Sequence, residues 1–69
     1  MELDALAMFV DGVRDGTLVP SSRIVRALLA AGITREAILD ALVAASTAHP
    51  SASRRFHRAL AVLRDLDRP

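Results

Sequence analysis

The chain contains no cysteine, lysine, asparagine, glutamine, tryptophan or tyrosine, and its only aromatic residues are Phe9 and Phe56. Without cysteine there is no disulfide framework and no thiolate metal site, a usage that suits a reducing cytoplasm. Without lysine no phosphate-binding loop of the Gly-Lys-Ser/Thr kind can form, and the three glycines are too dispersed to cradle a phosphate. Without Asn or Gln nothing can pair bidentately with adenine, and two Phe residues make a poor stacking platform for RNA. Long apolar runs are missing as well. The longest uncharged stretch, Ala41 to Ser53, is thirteen residues and contains His49 and Pro50, short of the roughly 20 apolar residues a bilayer requires. Neither a membrane span nor a secretory signal is expected, since Met1-Glu2-Leu3-Asp4 has acids where a signal carries positive charge.

What is present bounds the fold. Sixty-nine residues make a single domain, 1–69, and at that size folding hides only about 60% of the unfolded surface. The 52% apolar content includes thirteen Ala; the large apolar side chains number twenty-three, enough for one small core. Nine Arg against eight acids give a net charge of +1, too near neutral to mark the whole chain as a binder of nucleic acid or membrane. The charge is nevertheless polarised, with residues 1–48 carrying four Arg and six acids and residues 49–69 carrying five Arg and two Asp. Arginine throughout in place of lysine, beside so much Ala, Val and Asp, fits the codon bias of a GC-rich, bacterial-type genome, so arginine content by itself carries little functional weight.

Punctuation and periodicity predict an all-α fold, a compact bundle of about four short helices over residues 2–15, 21–31, 34–47 and 52–67. In the first, Leu3, Leu6, Ala7, Val10 and Val13 share a stripe and Gly16 is the stop; Gly12 should weaken it locally, and Asp11-Gly12 between apolar residues also carries a hairpin signal. Ser21 or Ser22 caps the second helix, whose inward positions are Ile24, Leu28 and Ala31 with Val25 and Leu29 beside them, before Gly32 ends it. Thr34 caps the third, with Glu36 at the positive end of its dipole, and that helix is apolar nearly all round. His49-Pro50 breaks it. Ser51 or Ser53 is the expected cap of the fourth, in which Phe56, Ala59, Leu60, Leu63 and Leu66 form the buried stripe.

Residues 27–42 resemble the helix-turn-helix pattern, with Leu28, Gly32, Ile33, Thr34 and Ile38 in its characteristic places. That resemblance implies a DNA-binding regulator whose recognition helix would present Thr34, Arg35, Glu36, Leu39 and Asp40, although two carboxylates there repel phosphate. Val13-Arg14-Asp15-Gly16-Thr17 with Pro20-Ser21-Ser22-Arg23-Ile24-Val25-Arg26-Ala27-Leu28 is similar to the helical part of ribbon-helix-helix repressors. The strand with which that family reads DNA has no counterpart beyond Met1-Glu2-Leu3.

Catalytic and metal chemistry find little support. His49 and His57 lie eight apart across a proline without helical H-E-x-x-H spacing, and Ser53 and His57 have no orienting acid or nucleophile elbow. No cofactor, metal or small-molecule ligand is expected, and the chain is not read as an enzyme. The reading is a cytoplasmic, non-enzymatic interaction module, an adaptor or regulatory protein that binds another protein or itself as a homodimer or higher oligomer. Its apolar contact is assigned to Leu39, Val43 and Ala44, and its charged contact to Arg54, Arg55 and Arg58. Arg64 and Arg68 lie with these last on the polar side of the fourth helix, and Asp4, Asp11 and Asp15 form an acidic line on the first that complements them. The alternative is a small helix-turn-helix-like DNA-binding regulator using Thr34, Arg35, Arg54, Arg55 and Arg58.

Overall fold

A computed structural model describes residues 2–66, with side chains from Ala5 onward. Four α-helices follow one another: α1 (Glu2–Asp15), α2 (Ser22–Ala30), α3 (Arg35–Ala48) and α4 (Ser53–Asp65), with a 3-10 turn over Pro50–Ala52 leading into the last. No strand occurs among the described residues, so the fold is all-α, and the hairpin signal at Asp11-Gly12 is overridden by an uninterrupted α1.

Local chemistry explains most of the helix ends. Ser21 is extended (φ −142°, ψ 161°) and its hydroxyl accepts the Ile24 amide at 3.4 Å; Thr34 accepts the Ala37 amide at 3.1 Å. Each hydroxyl satisfies a first-turn amide that has no partner within its helix. At the other end of α2, Gly32 adopts φ 98°, the Ile33 amide donates to the Leu28 carbonyl at 3.2 Å and the Gly32 amide to that of Leu29 at 3.1 Å. This is a Schellman closure, completed by the burial of both Leu28 and Ile33. Gly16 (φ 77°) closes α1 the same way, with Thr17 donating to Gly12 at 3.0 Å and Gly16 to Val13 at 3.3 Å.

One expectation about ends needs correction. Neither Ser51 nor Ser53 caps α4: Ser53 is already helical (φ −53°, ψ −41°), the cap position falls on Ala52, and no side chain bonds there. Pro50 starts the 3-10 turn instead, and the Ala52 amide donates to the His49 carbonyl at 2.9 Å. Gly12, expected to weaken α1 locally, is also a place of close approach. Its carbonyl accepts the amides of both Thr17 and Leu18, and a Cβ at Gly12 would lie 2.8 Å from the Leu18 Cβ.

The core forms where α3 and α4 pack together, with Ile38, Leu42 and Ala45 against Phe56, Ala59 and Leu63. Phe9 and Val13 of α1 and Val25 and Leu28 of α2 close over this pair, and Ala52 from the 3-10 turn completes it. Burying one such large side chain contributes about 1.5–3 kcal/mol. The α1 face is turned relative to the expected stripe: Phe9 and Val13 are buried, Leu6 and Val10 are half-buried, and Ala7 is exposed. Leu3 lies outside the described side chains. On α2, Leu29 and Ala31 are exposed rather than inward, because only the Val25–Leu28 edge of this nine-residue helix reaches the core. No polar or charged side chain is buried among the described residues.

Candidate interaction surfaces

The residues assigned to partner binding divide between two surfaces on opposite flanks of α4. Leu39 and Val43 of α3, joined by Leu60, Leu63 and Arg64 of α4 and by Arg35, line a groove of about 220 Å³ between the two helices. Leu39 and Leu60 are half-buried at its base, and Val43 is 49% exposed. Ala44 is exposed on α3 and lies next to the groove without lining it.

Arg54, Arg55 and Arg58 wall a different cleft, of about 230 Å³, whose opposite side is the α1–α2 loop: Gly16, Leu18, Val19 and Pro20. The two surfaces share no residue. Helical geometry explains the separation. Each residue turns a helix by about 100°, so Arg55 and Arg64, nine apart, point about 180° away from each other. The six residues therefore line no common cleft. Arg68 and Asp67 lie outside the described residues.

The three arginines of the cleft are not equivalent. Arg55 Nη1 donates to the Arg14 carbonyl oxygen at 2.9 Å, and a Cβ on Gly16 would meet Arg55 Nε at 3.2 Å. Arg55 thus lies over the α1 C-terminus, where a cation meets the negative end of the helix dipole. Arg54 and Arg58 are exposed and form no hydrogen bond or ion pair with the described residues.

On α1, the acidic line is partly neutralised from within its own helix. Arg14 pairs with Asp15 at 2.9 Å and with Asp11 at 3.4 Å. The Arg14 hydrogen bond holds the Asp15 carboxyl below the usual carboxylate range, helped by the charges of Arg14, Arg55 and His49 and opposed by desolvation. The same hydrogen bond raises the Arg14 guanidinium. Asp4 lies outside the described side chains.

The residues of the DNA-binding alternative are likewise dispersed. The Thr34 hydroxyl is engaged by the Ala37 amide, Arg35 lines the α3–α4 groove, and Arg54, Arg55 and Arg58 stand on the other flank of α4. Glu36 and Asp40 are exposed on α3. Among the described residues no three His, Asp or Glu side chains cluster closely enough to hold a metal ion, and no helix is long and apolar enough to cross a membrane.

Sequence reasoning missed the second wall of each surface. Leu60 and Leu63 were read only as core, although their place facing α3 follows from the same periodicity. Leu18, Val19 and Pro20 fall between the first two predicted helices; the signal present is an apolar Leu-Val pair ahead of a proline. Comparison with protein families, with curated proteins and with solved structures finds no significant match to this chain.

Proposed function

We propose that this protein is a non-enzymatic interaction module of the cytoplasm, with an adaptor or regulatory role, that pairs with a second copy of itself through the α3–α4 groove. The observation that carries this reading is Val43, a large aliphatic side chain 49% exposed at the rim of a groove floored by Leu39, Leu60 and Leu63. Self-pairing is favoured by the edges of the groove. A twofold axis running along it lays α3 of one copy over α4 of the other, and brings Glu36 and Asp40, exposed on α3 beside the lining residues Arg35 and Leu39, near Arg64 of the partner. Ala44, small and exposed beside Val43, permits close helix approach.

Sedimentation velocity of the full chain tests the proposal. The wild type should sediment as a dimer, and Val43→Glu should be monomeric with unchanged helicity, since position 43 is half exposed. Asp40→Arg should weaken the dimer, and adding Arg64→Asp should restore it. A wild-type monomer, or a dimer indifferent to Val43→Glu, overturns the reading. Co-sedimentation with duplex DNA that disappears as salt is raised, without self-association, would replace it with the DNA-regulator reading.

A further inference from the structure

We infer that the cleft between Arg54, Arg58 and the α1–α2 loop is a binding site for a phosphate monoester carried on an aromatic group. This inference is independent of the pairing surface, which lies on the other flank of α4 and shares no residue with the cleft.

Charge points to the phosphate. Arg54 and Arg58 are four apart on one helix face, where like charges disfavour each other, and neither has a partner among the described residues. The cleft lining holds no acid. Asp15, at the α1 end over which Arg55 lies, is engaged by Arg14, and Arg55 donates to the Arg14 carbonyl. The cleft thus offers two guanidinium groups with no partner among the described residues, beside a third, Arg55, whose donors are turned to a neutral carbonyl. A carboxylate balances one of them, whereas a phosphate monoester, carrying about −1.5 to −2 at neutral pH, balances both and matches the planar donor fork of arginine.

Shape points to the aromatic group. The wall opposite the arginines is Leu18, Val19 and Pro20, with Val19 71% exposed. An exposed aliphatic side chain between a proline and two cations provides an apolar surface at the mouth of an anion site. That wall is held in place before any ligand arrives, because the Thr17 and Leu18 amides both donate to the Gly12 carbonyl, at 3.0 and 3.1 Å. Little ordering is then left for the ligand to impose. The volume, about 230 Å³, is below the range of about 300–1,000 Å³ typical of sites for larger ligands. It accommodates one ring, with its phosphate directed to Arg54 and Arg58 at the rim.

The test is a titration of the full isotope-labelled chain by NMR with phenyl phosphate, inorganic phosphate and benzoate as separate probes. Phenyl phosphate should shift the Gly16, Leu18 and Val19 amides and bind more tightly than either other probe. Its affinity should rise as pH passes about 6, where the second phosphate proton is lost. Arg54→Gln and Arg58→Gln should each weaken it at least about tenfold, and Val19→Ser should erase its advantage over inorganic phosphate. All three positions are exposed, so unchanged helicity confirms that the variants fold. No shift at the cleft overturns the inference, as does equal affinity for phenyl and inorganic phosphate. Tighter binding of duplex DNA through the same arginines, steep in salt and indifferent to Val19→Ser, would also overturn it in favour of a nucleic-acid backbone.

Discussion

The Arg55 side chain donates a 2.9 Å hydrogen bond to the main-chain carbonyl of Arg14, joining α4 to the end of α1 across 41 positions of sequence. Arg55 is therefore a structural cap as well as a wall of the cleft. Arg55→Met, which keeps an apolar stem but removes the donor, should lower stability by about 1 kcal/mol. Urea denaturation reads this as a lower midpoint with an unchanged slope. An unchanged midpoint would mean that the bond contributes nothing in solution.

Gly12→Ala is a substitution for which propensity and packing disagree. Propensity alone predicts a gain of about 1 kcal/mol in a helix interior. Here the new methyl would lie 2.8 Å from the Leu18 Cβ, and overpacking of that kind costs about 1–3 kcal/mol. A fall in thermal midpoint is expected. In a double-mutant cycle Gly12→Ala and Leu18→Ala should couple, because truncating Leu18 at Cγ relieves part of the clash. Additive effects would show that the loop simply moves aside.

Removing a functioning cap should be measurable, whereas removing a serine that does not cap should not. Thr34→Ala, which deletes the 3.1 Å bond to the Ala37 amide, should cost about 1 kcal/mol. Ser21→Ala should cost less, its bond to Ile24 being 3.4 Å. Ser51→Ala should stay within about 0.5 kcal/mol of the wild type, as for an ordinary surface change. Equal losses at Thr34 and Ser51 would contradict the cap assignment.

Asp15 gives the protein an acid-side dependence. Its folded carboxyl sits below the ordinary range because Arg14 hydrogen-bonds to it. As pH falls below about 4 the unfolded chain takes up the proton first. The contribution of Asp15 is therefore fully present above that pH and is lost as pH drops through the folded value. Asp15→Asn should lower stability at neutral pH by this contribution and flatten the acid part of the profile, so that variant and wild type converge as pH falls. A profile of unchanged steepness in the variant would assign the acid sensitivity to other carboxylates.

Phe56 is fully buried where α4 meets α3. Phe56→Ala should cost about 3–5 kcal/mol. At about 0.05–0.15 kcal/mol per residue a chain of this length holds only about 3–10 kcal/mol. Circular dichroism should therefore show a variant that has lost a large share of its stability, with a much lower thermal midpoint, and a cooperative transition close to that of the wild type would contradict the burial.

The ends of α1, α2 and α3 were legible because their determinants are local. Gly16, Gly32, Ser21 and Thr34 act within five positions of where they stand, and the structure uses each as the sequence suggests. Misreadings arose where distant segments decide. Phe9 is buried and Ala7 exposed because α1 must face both α3 and α4, which turns it away from its simplest apolar stripe. Ser53 looks like a cap in isolation but is drawn into helical geometry by the turn that Pro50 begins. The same distinction governs the candidate surfaces. Leu39 and Val43 could be found from the excess of apolar residues on α3, whereas the separation of Arg54, Arg55 and Arg58 from them depends on how α4 lies across the bundle.

The corner at Gly32 has a consequence for the order of assembly. From the Ser21 cap through the Leu28–Ile33 closure to the Thr34 cap, every bond that shapes this corner spans five residues or fewer. Local contacts of this kind require little loop closure and form early. The bond between Arg55 and Arg14 must wait until both ends of the chain have met. The α2–α3 corner is thus shaped by local bonds and the α1–α4 tie has the character of a late latch, so weakening the latch should speed unfolding while leaving the folding rate nearly untouched.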